Sequence, residues 1–228
     1  MTVTGRPTIA IDRYRARLDR AAAVTGEVGL QAMLVGVGPD LRYLTGYEAM
    51  PLERMTMLVV GPDPDGITLV VPRLEEPAAR AGCRPDIRIV TWEENDDPHG
   101  LVAGLVRGRE PSSALRMGVS DRLIAMHLLR LQRALPGATF ESAATVLREL
   151  RMTKDPDEVA LLRTAAHAAD RVVTQIAAGD PQSPRRVAAV PVDGAADVED
   201  DRLAGLDDPV RGRMVWRGGI WPRADDRE

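Results

Sequence analysis

The chain has 228 residues and a formal net charge of −4, with 30 Lys and Arg against 34 Asp and Glu. No part of it concentrates the positive charge that nucleic-acid binding needs, and no apolar run is long enough to predict a membrane span. A single cysteine, Cys83, excludes an internal disulfide and, together with an amino terminus unlike a signal peptide, predicts a cytoplasmic protein.

The predicted elements alternate between helices and strands. Residues 11–28 are predicted to be a helix because Tyr14, Leu18, Ala21 and Val24 recur near helical spacing. Short apolar or alternating runs predict strands at residues 32–37, 55–60, 67–71, 87–92 and 117–120. Further helical patterns lie at residues 74–81, 100–107, 121–135 and 141–151. This alternation predicts an α/β domain of three layers with a mixed sheet, over residues 8–151.

The motif LRYLTGY, at residues 41–47, follows turn residues at 38–40. We interpret it as a short strand that ends at Gly46, where a side chain would obstruct the bend of the chain. Its residues are predicted mainly to build the core of the domain.

The best-delimited element is a long helix over residues 155–178. Asp155 is a candidate N-cap, Pro156 suits the first turn, and Glu158 stands at the acidic position of a capping box. Gly179 is a ready C-terminal stop. Apolar residues on one face form a stripe at helical spacing, at Val159, Leu162, Ala166, Ala169, Val173 and Ile176. Such a face predicts a partner surface, either within the chain or on another molecule.

The composition changes after Gly179. Prolines and aspartates replace periodic apolar residues over residues 180–228, which predicts an irregular, disordered tail. Six aspartates of this tail do not follow the spacing of a calcium-binding loop. These residues are Asp193, Asp197, Asp200, Asp201, Asp207 and Asp208. Either a frameshift or truncation near Asp180 or a genuine lineage-specific sequence accounts for the tail, and the sequence leaves both open.

Two stretches, LRYLTGY and RMTKDPDEV at residues 151–159, together resemble the amino-terminal half of Xaa-Pro peptidases, the prolidase, aminopeptidase P and creatinase relatives. In that family, a non-catalytic α/β domain precedes a pita-bread catalytic domain that binds two divalent metal ions. The resemblance therefore implies a creatinase-type amino-terminal domain over residues 8–151. It also implies that residues 152–179 are a linker and the first helix of a truncated catalytic domain.

The resemblance also implies which residues border a substrate. The loop after the YLTG motif faces the active-site cleft in the family, so Tyr47, Glu48 and Arg54 are the candidate cleft residues. The family's metal ligands, two aspartates, one histidine and two glutamates, come from strands that follow the long helix. Nothing after Gly179 resembles those strands, so we predict no catalytic residue, no metal ligand and no cofactor in this chain.

The three histidines are the remaining candidates for a metal site. His99 lies in the acidic segment EENDDPHG, but Asp97 and Pro98 of that segment also suit the start of the next helix. His127 and His167 lie in predicted helices, and we expect packing or surface roles for both.

These observations predict the amino-terminal domain of a truncated, metal-dependent Xaa-Pro dipeptidase or aminopeptidase that does not hydrolyse peptides by itself. The alternative is a stand-alone oligomerisation or interaction module, whose long helix pairs with a second copy, as a homodimer, or with a full-length relative. A nonfunctional gene remnant is a third interpretation. The sequence leaves open the ancestral peptide preference, the metal and the oligomeric state.

Overall fold

The computed structural model describes residues 8–107 and 115–177. The described residues up to Asp170 belong to one compact unit, and a second unit begins at Arg171, of which only residues 171–177 are described. The tail predicted over residues 180–228 and the proposed stop at Gly179 lie outside the described residues.

One mixed sheet forms the centre of the first unit. Its strands are β1 (Ala32–Gly36), β2 (Met57–Val60), β3 (Thr68–Pro72), β4 (Arg88–Trp92), β5 (Arg116–Val119) and β6 (Thr139–Ser142). Their order across the sheet is β4-β3-β2-β1-β5-β6. β2 runs antiparallel to both β1 and β3, whereas β1 with β5, β5 with β6, and β3 with β4 are parallel pairs. All strands except β2 therefore end at the same edge of the sheet.

Helices cover both faces of this sheet. The helices of the described residues are α1 (Ile11–Glu27), α2 (Pro39–Thr45), α3 (Glu76–Gly82), α4 (Pro98–Arg107), α5 (Ala125–Ala134), α6 (Ala144–Met152) and α7 (Pro156–Ala177). Within the described part of the chain, none of them has the length and apolar character of a membrane-spanning helix.

Two apolar cores lie on opposite sides of the sheet because successive strand residues point to opposite faces. On one side, Leu18 of α1 and Leu44 of α2 belong to a cluster that includes Met33 and Val35 of β1 and Val146 of α6. On the other side, the cluster joins strand residues to α4 and α5, through Leu34, Met117, Val102, Val106 and Leu131. This arrangement confirms the predicted three-layer α/β domain with a mixed sheet.

The LRYLTGY motif folds as a helix, so the predicted short strand is wrong. Pro39 occupies the first turn of α2, Asp40 adds an acidic residue there, and the Thr45 hydroxyl donates a hydrogen bond to the Leu41 carbonyl, 2.7 Å away. Gly46 ends α2 at a φ of +78°, in the left-handed region that glycine adopts readily. The expected need for glycine at the bend is therefore confirmed.

The sequence prediction also missed the last strand. Residues 139–142 pair in parallel with β5 and form the edge strand β6, whereas we predicted a helix from residue 141. Most of this strand is exposed, so its side chains show no clear alternation that would reveal it. The helix predicted over residues 121–135 likewise begins later, at Ala125, because the Leu123 amide donates to the Ser120 carbonyl in a preceding turn.

Candidate functional site

A cavity of about 240 Å³ lies at the edge where the parallel strands end, on the face that α4 and α5 cover. Trp92, the last residue of β4, and Met55, which precedes β2, both line it. The Trp92 indole Nε1 donates a hydrogen bond to the Met55 carbonyl oxygen at 3.0 Å, which joins the two segments. The cavity therefore has a well-ordered wall at the sheet edge.

Two buried histidines line the same cavity and contact each other. His99 lies in the first turn of α4 and His127 in the first turn of α5, and their exposed fractions are 4% and 5%. Nε2 of His99 and Nδ1 of His127 are 3.1 Å apart, a hydrogen-bond distance. Asp97 accepts a hydrogen bond from the His99 amide at 3.1 Å, as expected of a residue that caps α4.

Both imidazoles are neutral near pH 7. Burial, followed by His127 and by the positive charge of Arg130, lowers the pKa of His99 to about 4. Burial and Arg130 also lower the pKa of His127. In a neutral pair, one proton lies between the two rings, so one outer ring nitrogen carries a hydrogen and the other a lone pair. The pair can thus both donate and accept a hydrogen bond.

The three candidate cleft residues occupy different surroundings. Tyr47 is 5% exposed and packs in the core beside Gly82, where an added Cβ would lie 2.7 Å from the tyrosine ring. Burial raises the pKa of Tyr47. Glu48 is exposed and pairs with Arg42 at 3.1 Å. Arg54 lines the cavity and pairs with Glu94 at 2.7 Å, whereas Tyr47 and Glu48 are not part of its wall.

A second cluster ties the start of α7 to the rest of the unit. The buried Arg17 donates hydrogen bonds to the Asp155 carboxylate at 2.8 Å and to the Tyr43 carbonyl at 3.1 Å. Its guanidinium also lies 4.2 Å from the centre of the Tyr43 ring and 3.6 Å from the Glu158 carboxylate. We call Arg17, Tyr43, Asp155 and Glu158 the Arg17 clasp. These contacts join the start of α7 to α1 and α2.

The predicted capping box is confirmed within this clasp. The Glu158 amide donates to the Asp155 carboxylate at 2.8 Å, and the Asp155 amide donates to the Glu158 carboxylate at 3.0 Å. Burial alone would raise the pKa of Asp155, but the hydrogen bond from the Glu158 amide and the charge of Arg17 lower it below its usual value. Lys154 is exposed and donates to the carbonyl oxygens of Arg151 and Met152.

Comparison with known proteins decides the family. Residues 17–153 match the family model described as the creatinase/prolidase N-terminal domain. The chain belongs to this family. Probable dipeptidase PepE of Mycobacterium tuberculosis is 39% identical over 165 residues, which make up 72% of this chain and 42% of that protein. Putative dipeptidase YkvY of Bacillus subtilis is 28% identical over 155 residues, which are 68% of this chain and 42% of that protein.

A solved structure extends the comparison. Dipeptidase PepE from Mycobacterium ulcerans aligns with a TM-score of 0.65 at 36% identity, over 76% of this chain and 45% of that chain. This creatinase/prolidase-type chain therefore spans less than half the length of the relatives it matches.

The described residues of this creatinase/prolidase-type domain do not fit a metal centre. Across residues 8–107 and 115–177, no three side chains of His, Cys, Asp or Glu come together as a metal ion would require. The His99–His127 pair supplies two nitrogens, and the neighbouring charge of Arg130 disfavours a cation beside them.

The apolar stripe of α7 is largely open to solvent. Leu162 is 57% exposed, and Val173 and Ile176 are 64% and 58% exposed. Val159, near the start of the helix, is half-buried, whereas Ala166 and Ala169 are exposed. Most of the stripe residues predicted from the sequence are therefore exposed.

Proposed function

We propose that residues 8–151 act as the non-catalytic amino-terminal domain of a Xaa-Pro peptidase-type protein, and that this chain does not hydrolyse peptides by itself. The observation that carries the proposal is the match of residues 17–153 to the creatinase/prolidase N-terminal domain. The relatives carry dipeptidase names, and the shared region covers only 42% of their length.

The chemistry of hydrolysis supports the same proposal. A dinuclear hydrolase activates a bridging water between two metal ions, and it needs several oxygen ligands and commonly a histidine to hold them. The described residues offer no such group of ligands. We therefore assign this domain a structural role. The Arg17 clasp orients α7, the helix that follows the domain.

A hydrolysis assay tests this proposal. The full chain, loaded with manganese or cobalt, is incubated with Ala-Pro and with longer peptides that begin with a Xaa-Pro pair. We expect no release of free proline or amino-terminal residue above the rate of the metal alone. Turnover that copurifies with the chain and disappears with chelator would overturn the proposal.

The exposed stripe of α7 favours a second candidate function, an oligomerisation module. We propose that this face pairs with a second copy of the chain or with a full-length relative. Burying a Leu, Val or Ile side chain fully contributes about 1.5–3 kcal/mol, less the cost of ordering it. Leu162, Val173 and Ile176 are exposed enough to gain much of this energy on association.

Light scattering over a range of concentrations tests the second candidate. We expect a dimer that becomes a monomer in Leu162→Glu, while the matched variant Thr164→Glu, on another side of α7, stays dimeric. If the parent chain is a monomer at high concentration, self-pairing is ruled out. Pull-down with a purified full-length relative would then test whether α7 pairs with that relative.

The free thiol of Cys83 favours a reducing compartment, so we propose a cytoplasmic location.

A further inference from the structure

The cavity at the sheet edge contains charges of both signs that lack partners. Three carboxylates and two guanidiniums line it, from Glu53, Glu94, Asp96, Arg54 and Arg130. Arg54 and Glu94 pair with each other at 2.7 Å, and Asp96 accepts a hydrogen bond from the Glu93 amide at 2.7 Å. Glu53 and Arg130 are both exposed to solvent, and neither forms an ion pair with another side chain of the described residues.

Arg130 lies beside the imidazole pair. It follows His127 by three residues on α5, so the two side chains share one face of that helix. Arg130 also lines the same cavity as both imidazoles. Nδ1 of His99 lies 3.9 Å from the Asp97 carboxylate, whereas Nε2 of His127 has no hydrogen-bond partner in the described part of the chain.

This combination of groups fits a carboxylate at one end of a ligand. A guanidinium binds a carboxylate through parallel hydrogen bonds. An outer nitrogen of a neutral imidazole that carries a hydrogen adds a further donor. The acidic residues Glu53, Glu94 and Asp96 would repel a simple anion, while Arg130 would repel a simple cation. A ligand with both charges satisfies the two unpaired groups at once.

The position and size of the cavity agree with a small ligand. In open α/β sheets, ligands bind in the crevice beyond the carboxyl ends of the strands, where Trp92 ends β4. The cavity of about 240 Å³ has room for a small molecule, and it shares His99 and Arg130 with an adjoining groove of about 450 Å³.

We propose that this cavity binds a small zwitterion of the amino-acid class, with its carboxylate on Arg130 and an imidazole N–H, and its ammonium group on Glu53. This binding role goes beyond the structural role proposed above and requires no peptide hydrolysis. The carboxylate selects the arrangement in which the imidazole nitrogen that faces it carries the proton.

Nuclear magnetic resonance of ¹⁵N-labelled histidine in the full chain tests this proposal. The chain is titrated with glycine, β-alanine and γ-aminobutyrate, which differ in the distance between their charges, and with the blocked analogues N-acetylglycine and glycine amide. A chelator is present, so that the result does not depend on any metal-dependent activity. We expect the imidazole nitrogens of His99 and His127 to shift to saturation with at least one zwitterion and much less with its blocked analogues.

Variants of the unpaired charges complete the test. Because hydrogen bonds between charged groups are strong, Arg130→Gln and Glu53→Gln should each weaken binding by about tenfold or more. Arg133→Gln, which lines only the adjoining groove, and Glu141→Gln, outside the cavity, should leave it unchanged. The proposal is overturned if no zwitterion shifts these resonances, if N-acetylglycine or glycine amide binds as tightly as the zwitterion that binds best, or if Arg130→Gln binds like the parent chain.

Discussion

Arg17 contacts both Asp155 and Glu158 at the start of α7, and its replacement by methionine tests the energy of these contacts. Arg17→Met keeps an apolar stem but removes the guanidinium that binds Asp155 and the Tyr43 carbonyl. The side chains of Asp155 and Glu158 are only 19% and 18% exposed, and they would lose their cation. Removing one partner of a buried pair costs about 3–5 kcal/mol. Because the capping hydrogen bonds and some hydration remain, we expect about 2–3 kcal/mol.

Urea unfolding followed by circular dichroism measures this loss as a lower midpoint at an unchanged slope. Arg20→Met is the matched control, since Arg20 lies on the same helix but pairs with Glu27 and Glu149 at the surface. Exposed pairs contribute little, so its midpoint should change much less. Arg17→Lys keeps the charge without the planar fork and should fall between the two. Equal losses for Arg17→Met and Arg20→Met would refute the stabilising role of the Arg17 clasp.

Three further predictions follow from individual residues. Folding lowers the pKa of His99 from 6.5 to about 4, so the unfolded chain takes up the proton first as pH falls. Its contribution to stability is complete above about pH 6.5 and should fall by about 2 kcal/mol by pH 5. His99→Gln should therefore reduce the slope of urea midpoints against pH, with the remainder due to His127, and a slope equal to that of the parent chain would contradict the prediction. Gly46→Ala should cost about 1–3 kcal/mol in the same assay, because φ is +78° and the new Cβ would lie 2.5 Å from the Arg84 side chain. Gly137→Ala, at a φ of +87° with open space around it, should cost less, and equal costs would contradict the steric argument. Burial raises the pKa of Cys83 to about 11, so iodoacetamide should alkylate the folded chain about 100-fold more slowly than the unfolded chain, and similar rates would contradict its burial.

The layered fold could be predicted from the sequence because, in most of its elements, apolar residues recur at a regular spacing over several residues. The helix α1 and the strands β1 to β4 follow apolar periodicity, and the capping box of α7 depends on Asp155 and Glu158, only three residues apart. The motif at residues 41–47 was too short for its period to separate a helical turn from a strand. The edge strand β6 was missed because its mostly exposed residues carry no burial pattern.

The candidate site was less accessible because its contacts are long-range. His99 and His127 lie 28 residues apart, and Arg17 and Asp155 lie 138 residues apart, so no local pattern joins them. The available signal was weaker: Arg17 is an arginine on the otherwise apolar side of α1. Whether Tyr47, Glu48 and Arg54 border a substrate in a larger assembly stays a prediction.

We predict that this creatinase/prolidase-type chain holds no peptidase metal centre. Elemental analysis after manganese or cobalt loading and extensive dialysis tests that claim most directly. We expect no stoichiometric divalent metal on the purified chain, because the described residues provide no group of ligands for it. One or two ions held tightly by each chain, the content of a catalytic centre, would contradict the account.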